Sequence, residues 1–461
     1  MVFTELRFVL FFVAVFAAYW ALRGDQARKW LLLLASWGFY AAWDWRYLGL
    51  LLASTAIDYA AARGLDAMQA GPFDAPRRRL WLWLSVGTNL GILCAFKYYD
   101  FFVDSAAALL GVEAARLGLV LPLGISFFTF QTMSYTIDVY HRRLRAGGAL
   151  DVALYVAFFP QLVAGPIVRA QAFLPQLASG RRFAAVPVRA ALGLFLIGYC
   201  KKACVADNLA PIVDAYFADP GAYDTNAAWI AVTAYAAQIY GDFSGYSDMA
   251  IATAWLLGYE LARNFDAPYA AASVTEFWRR WHISLSSWLR DYLYIPLGGS
   301  REGAARTYRN LLLTMLIGGL WHGAAWTFVA WGGLHGLALA LERALGVGER
   351  RGPGRWLGVA GTFVFVCAAW VCFRSPDFTT AATVLRAFLL LDAPGQASFP
   401  GWLWAVLLAL ALLHALAQWG LRRGLWRAAP DWLFALGWGC LAALAIAAAP
   451  IGYRPFIYFQ F

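Results

Sequence analysis

The chain has 461 residues, 62% hydrophobic and 14% charged, with a mean hydropathy of +0.58; soluble domains carry about 25% charged and roughly 45–50% apolar residues. The apolar surplus is spread over repeated long blocks, which excludes a soluble globular protein and marks an all-α, polytopic membrane protein. The 37 basic and 27 acidic residues leave a net charge of +10; no soluble basic domain is present to bind nucleic acid, so the excess is assigned to cytoplasmic loops.

In chain order, Met1–Leu22 carries Glu5 and Arg7 early and no small-residue cleavage site, and reads as a first spanning helix rather than a removed signal peptide. Further candidate spans are Trp30–Ala42, Arg46–Ala62, Leu80–Phe96, Leu117–Tyr140, Val152–Val168 and Val188–Ala206. An interrupted stretch Ala227–Leu261 and a hairpin Asn310–Leu345 follow, then Trp356–Phe373, Trp402–Trp419 and Trp432–Ile451. Against the ~20 residues needed to cross a bilayer, that is about a dozen spanning or re-entrant segments. No soluble domain, internal repeat or low-complexity tail interrupts them, so residues 1–461 are expected to form one membrane domain. Basic residues cluster after the first, third and fifth spans (Arg23, Arg28, Lys29; Arg63, Arg77–Arg79; Arg142, Arg143, Arg145). They recur on either side of the hairpin (Arg301, Arg306, Arg309; Arg343, Arg350, Arg351, Arg355) and at Arg422, Arg423 and Arg427. An arrangement with both ends outside places nearly all of these in the cytoplasm. Lys201 and Lys202 do not fit it and are read as snorkelling or lining an interior path.

Two polar intrusions break the apolar pattern. Phe159-Pro160 through Gly165-Pro166 predicts a broken helix. Tyr240 through Asp248 places two carboxylates, two serines and two glycines inside an apolar run. It reads either as an unwound helix that binds an ion or substrate, or as a turn between half-helices capped by Ser247 or Asp248. Asp242 is left without an assigned role. The six cysteines show no metal spacing; Cys200 with Cys204, and Cys367 with Cys372, lie in apolar runs that suit packing.

Ser273–Tyr294 reads as an amphipathic helix at the membrane interface, with Phe277, Trp281, Leu285 and Trp288 on one stripe. Ser273 or Thr275 is its candidate cap and Glu276 lies in its first turn. Arg279 and Arg280, beside His282 and ahead of the glycine-rich Leu297–Ser300, are candidates for holding a phosphate-bearing cofactor; an ordinary anchoring helix has the same pattern. His322, between Trp321 and Gly323 and flanked by apolar sequence, is either hydrogen-bonded for packing or a working group in a narrow passage. His335 lies 13 residues on, roughly 220° around an ideal helix, so the two do not form one metal-binding face. A zinc or haem site is not expected, and His141 and His414 read as structural. No Gly-x-Ser-x-Gly elbow is present. Transport explains broken helices but not the Arg/Trp/His segment. Group transfer with a buried, neutral imidazole as general base explains both.

These stretches resemble the membrane-bound O-acyltransferase (MBOAT) superfamily, and within it the bacterial alginate O-acetylation branch. The residues that carry the resemblance run in order from Pro122–Gln131, Phe159–Pro166 and Asp242–Ala250 to Asn264–Tyr269 and Phe277–Leu285. They continue through Asp291–Gly299 and Gly319–Ala324 to the terminal Phe456–Phe461. The resemblance implies a helical core around a central tunnel, entered by an acyl donor from the cytoplasm and by an acceptor from the other face. It maps the characteristic histidine onto His322 and a second active-site histidine onto His282. Arg279, Arg280, Trp281 and Trp321 are the expected contacts of the donor, which the resemblance implies is acetyl-CoA, not permanently bound. The expected setting is the bacterial inner membrane, with transfer towards a periplasmic acetyltransferase partner that modifies an exopolysaccharide. The acceptor polymer stays open, and an exporter whose histidines only gate the path is the alternative.

Overall fold

The computed structural model describes residues 3–347, 354–423, 430–450 and 456–457. Among these residues the fold is helical, with one isolated parallel bridge between Tyr223 and Ala397. Arg350, Arg351, Arg427, Ile451 and Tyr458–Phe461 of the sequence readings lie outside the described residues. Contacts sort the chain into two compact units: Met1–Phe195 with Ser247–Ala262, and Leu196–Tyr246 with Arg263–Phe461.

The first unit opens with α1 (Leu6–Ala21), α2 (Asp25–Asp44), α3 (Leu48–Ala67) and α4 (Pro76–Leu93), whose Pro76 has the fixed φ suited to a first helical turn. A π-helical turn, Cys94–Tyr98, joins α4 to α5 (Tyr99–Leu110), and left-handed Gly111 ends it. Then come α6 (Ile125–Tyr140), α7 (Ala149–Ala157), the single-turn α8 (Phe159–Leu162) and α9 (Ala170–Ala178). The expected span Leu117–Tyr140 is helical only from Ile125. Asp100 explains part of the difference: its carboxylate accepts the N–H groups of Leu117 and Gly118 at 2.7 and 3.0 Å, and Gly118 turns the chain with φ at 61°. The expected break at Phe159-Pro160 is present, and Ser36 Oγ accepts the Phe159 N–H freed there, at 3.1 Å.

The chain continues through α10 (Val188–Tyr199), a π-helical stretch Cys200–Ala206, α11 (Asp207–Ala218) and α12 (Thr225–Leu256). Two expectations are corrected here. Ala227–Leu261 is not interrupted at Tyr240–Asp248, since α12 is a continuous helix of 32 residues, so Ser247 and Asp248 cap nothing. Gly241 and Gly245 serve as contact surface instead. A Cβ on Gly245 would stand 2.6 Å from Gly198 O, and one on Gly241 2.8 Å from Lys201 O, the close approach that small residues four apart permit. Nor is Ser273–Tyr294 one helix. It forms α13 (Val274–Arg280), a break at Trp281-His282, α14 (Ile283–Leu289) and a π-helical turn Arg290–Tyr294. His282 has φ 43° and ψ 54°, a left-handed conformation that no α-helix continues through.

The rest of the second unit comprises α15 (Ala304–His322), α16 (Trp326–Ala344), α17 (Gly354–Arg374), α18 (Phe378–Leu389), α19 (Trp402–Arg423) and α20 (Asp431–Ala448). By length and composition Pro76–Leu110, Gly354–Arg374 and Asp431–Ala448 are each able to cross a membrane, and Leu6–Ala21, Phe378–Leu389 and Trp402–Leu416 are shorter apolar helices. The outward faces of α19 and α20 are apolar, with Leu408, Leu412, Leu436 and Leu444 all exposed. A surface of that kind suits lipid rather than water.

Candidate active site

The α15–α16 hairpin sets the position of His322. Its two helices touch through backbone: a Cβ on Gly319 would lie 2.3 Å from Phe328 O, and one on Gly332 2.2 Å from Met315 O. His322 is the last residue of α15, and Gly323 turns the chain with no room for a side chain, since a Cβ there would meet the Phe328 ring at 2.2 Å. His322 is therefore fixed by the geometry of a helix crossing. Its buried ring stands edge-on to Trp321 and Trp331, both at 5.0 Å between centroids, with Phe373 at 5.4 Å.

The break between α13 and α14 supplies His282. Ser273 caps α13 by accepting the Glu276 N–H, as the sequence suggests, and the Glu276 carboxylate accepts the N–H of Ala272 in return. Phe277, Trp281, Leu285 and Trp288, the stripe read from the sequence, are all buried. His282 is fully buried and lies 6.4 Å from His322 between ring centroids, with Trp321 6.2 Å away and Phe243 edge-on at 4.6 Å. Its Nδ1 is 3.2 Å from Asn264 Oδ1. That same atom of Asn264 receives the backbone N–H and the hydroxyl of Ser284, at 3.2 and 2.9 Å. A backbone N–H only donates, so the Asn264 atom is the carbonyl oxygen, and Nδ1 of His282 carries the proton. In the neutral ring Nε2 is then the basic nitrogen.

The structure brings His282, His322 and Trp321 together, and it places Trp281 next to them, stacked on Phe277 at 5.5 Å and against Trp370 at 5.0 Å. The arginines are placed differently. Arg279 is exposed. Arg280 is held by Glu276 at 2.7 Å and by the Asp266 carbonyl at 3.2 Å. Arg355 joins the same glutamate at 3.2 Å. In the glycine-rich loop Gly298 and Gly299 both have positive φ, and Asn310 Nδ2 donates to Gly299 O at 3.0 Å. His335 belongs to the same aromatic layer: Trp278 Nε1 donates to its Nδ1 at 3.2 Å, and Trp331 separates it from His322. No group of three metal-ligating side chains occurs among the described residues.

The partners of several residues escape sequence reasoning. Asn264 is 18 residues from His282 with no periodicity linking them, and only its place in the Asn264–Tyr269 motif singles it out. Lys202 and Asp242 form a buried ion pair at 2.5 Å, with Asp207 also 2.7 Å from Lys202. Lys202 is thus buried and compensated by two carboxylates. The other Asp242 oxygen accepts the Ile457 N–H at 2.6 Å.

The model of the MBOAT, membrane-bound O-acyltransferase family, matches residues 125–375, more than half of the chain and inclusive of both histidines. The chain belongs to this family. A probable alginate O-acetylase AlgI of Pseudomonas putida is 41% identical over 495 residues, covering 100% of both chains. A peptidoglycan O-acetyltransferase of Helicobacter pylori is 39% identical over 78% of this chain and 73% of its own. A teichoic acid D-alanyltransferase of Streptococcus thermophilus is 29% identical over 54% of this chain and 64% of its own. This MBOAT protein is accordingly an enzyme of the membrane that transfers acyl groups to oxygen, and its two central histidines lie within the matched segment.

Proposed function

We propose that this MBOAT enzyme moves an acetyl group from cytoplasmic acetyl-CoA through the bacterial inner membrane to a periplasmic acceptor. The acceptor is a partner acetyltransferase, or the polymer itself, and the product is an O-acetylated exopolysaccharide or cell-wall polymer. The observation that carries the reading is the meeting of His282 and His322, 40 residues apart in sequence, at 6.4 Å inside an aromatic enclosure. Acetyl as the transferred group follows the two relatives of higher identity, both named for O-acetylation, while the relative named for D-alanyl transfer is more distant.

In this reading His322 takes the proton of the acceptor hydroxyl as its oxygen attacks the thioester carbonyl. A C–O bond forms, the C–S bond breaks, and the imidazolium returns the proton to the departing thiolate. His282, with Nδ1 held by Asn264, presents Nε2 towards donor or base. The indole N–H groups of Trp281 and Trp331 are buried and without a hydrogen-bond partner among the described residues. They serve as donors to carbonyl oxygens of the acyl donor, a match that removes the roughly 1–3 kcal/mol cost of an unsatisfied buried N–H.

Replacement His322→Ala tests the assignment. Acetylation of the polymer falls by about 10²–10⁴-fold while membrane level and polymer export stay normal. Retained acetylation in that variant overturns the general-base role, and lost export returns the exporter as the better reading.

A further inference from the structure

Lys202, Asp207 and Asp242 form an ionic cluster of the second unit that the reaction does not use. Lys202 and Asp242 are both buried, and ions removed from water are costly in an apolar surrounding. The geometry divides the work between the two oxygens of Asp242. Oδ1 faces Lys202 Nζ at 2.5 Å, while Oδ2 accepts the backbone N–H of Ile457 at 2.6 Å. Asp207, at 2.7 Å, gives Lys202 a second carboxylate, so the ammonium stays compensated while Asp242 also serves Ile457. Gly241 and Gly245, on either side of Asp242, let α12 press against Cys200–Ala206 and bring the ammonium within reach.

The same turn of α12 touches the active site. Phe243, next to Asp242, places its ring edge-on to His282 at 4.6 Å. The segment that Asp242 holds packs on the same ring, with Phe456 5.8 Å from Phe243 and 5.0 Å from Tyr246. Phe456 and Ile457 are both buried. Phe243 is thus held between the segment and His282.

We propose that Asp242, compensated by Lys202, is a positioning residue for acyl transfer: it seats the Phe456–Ile457 segment, which fixes Phe243 and through it the imidazole of His282. Asp242 itself touches no reacting atom. The proposal rests on the assignment of His282 to the active site, and its test separates the two.

The first arm needs no acyl donor. In a Tyr246→Cys/Phe456→Cys double variant of the full chain, mild oxidation in membranes joins positions 246 and 456, as read by peptide mass spectrometry. Adding Asp242→Ala abolishes that cross-link. The second arm measures transfer in the parent background. Asp242→Ala lowers kcat roughly a hundredfold, the cost of a small misplacement of a catalytic group, with the KM for the acyl donor and the membrane level unchanged. Asp242→Asn keeps an oxygen for the Ile457 N–H and restores most of that loss. Phe456→Ala leaves the ion pair intact and lowers kcat to the same extent as Asp242→Ala, so the proposal stays open to refutation if Asp242→Ala fails to accumulate. A cross-link that persists in the Asp242→Ala background, or parental kcat in Asp242→Ala or Phe456→Ala, overturns it. Because the cross-link is read without turnover, it stands whatever His322→Ala shows.

Discussion

His282 holds a backbone conformation that most residues avoid. With φ at 43° and ψ at 54°, a Cβ branch would crowd the following carbonyl, whereas Asn enters this region with a smaller penalty. Replacements at this position therefore separate backbone from ring. His282→Asn is expected to accumulate normally in membranes and lose transfer activity, whereas His282→Val is expected to lower the membrane level as well; equal levels for the two, by immunoblot, would contradict the strain argument. The sequence singles out both histidines by their setting, His282 beside two arginines and His322 in an apolar run where a titratable ring is costly and rare. The partner that sets the tautomer of His282 is not legible, because Asn264 reaches it through tertiary structure alone. Arg280 has a partner that is close in sequence. It lies beside the motif in sequence, but Glu276, one helical turn earlier, holds its guanidinium.

At the scale of the element, the α15–α16 hairpin is readable from its glycines. Gly319 and Gly332 face each other with Cα atoms close enough that a Cβ on either would come 3.2 Å from the other. Because the clash would be with backbone carbonyls as well, no rotamer change relieves it. Gly319→Ala or Gly332→Ala is expected to cost about 1–3 kcal/mol by overpacking and to shift His322. A lowered melting temperature together with lost transfer is the outcome looked for, and a parental melting temperature would refute the crossing as described. The same residue type misleads in α12. Glycines and carboxylates between Tyr240 and Asp248 imitate a loop, because linear order does not reveal that Lys202 compensates Asp242 or that the glycines abut another helix. The break inside Ser273–Tyr294 has the inverse character: Trp281 and His282 carry no Gly or Pro signal, and the interruption is imposed by tertiary contacts such as Asn264 accepting the Ile283 N–H at 2.9 Å.

For the molecule as a whole, composition is enough to read a helical membrane protein, since a chain this apolar has few other ways to satisfy its backbone. What composition hides is how polar groups are settled inside it. In the first unit Asp58 of α3 is fully buried and accepts hydrogen bonds from Ser85, from Asn89 at 2.9 and 3.0 Å, and from Thr136 at 3.2 Å. Ser54 adds a bond to Asn89 at 2.8 Å, so α3, α4 and α6 are tied by one network. Asp58→Ala strands these donors in an apolar interior and is expected to destabilise the protein by about 2 kcal/mol, read as a lower melting temperature in detergent; an unchanged value would show that the network contributes specificity and not stability. Arg78, fully buried, does comparable work at the ends of helices, donating to the carbonyls of Leu65, Met68 and Tyr140. The bond from Ile457 to Asp242 adds a consequence in time. The two residues are 215 positions apart, and a chain made at about 5–20 residues per second contains Asp242 many seconds before Ile457 exists. In that interval Asp242 lacks the Ile457 N–H, and its site becomes whole only when the last-made part of this pair arrives.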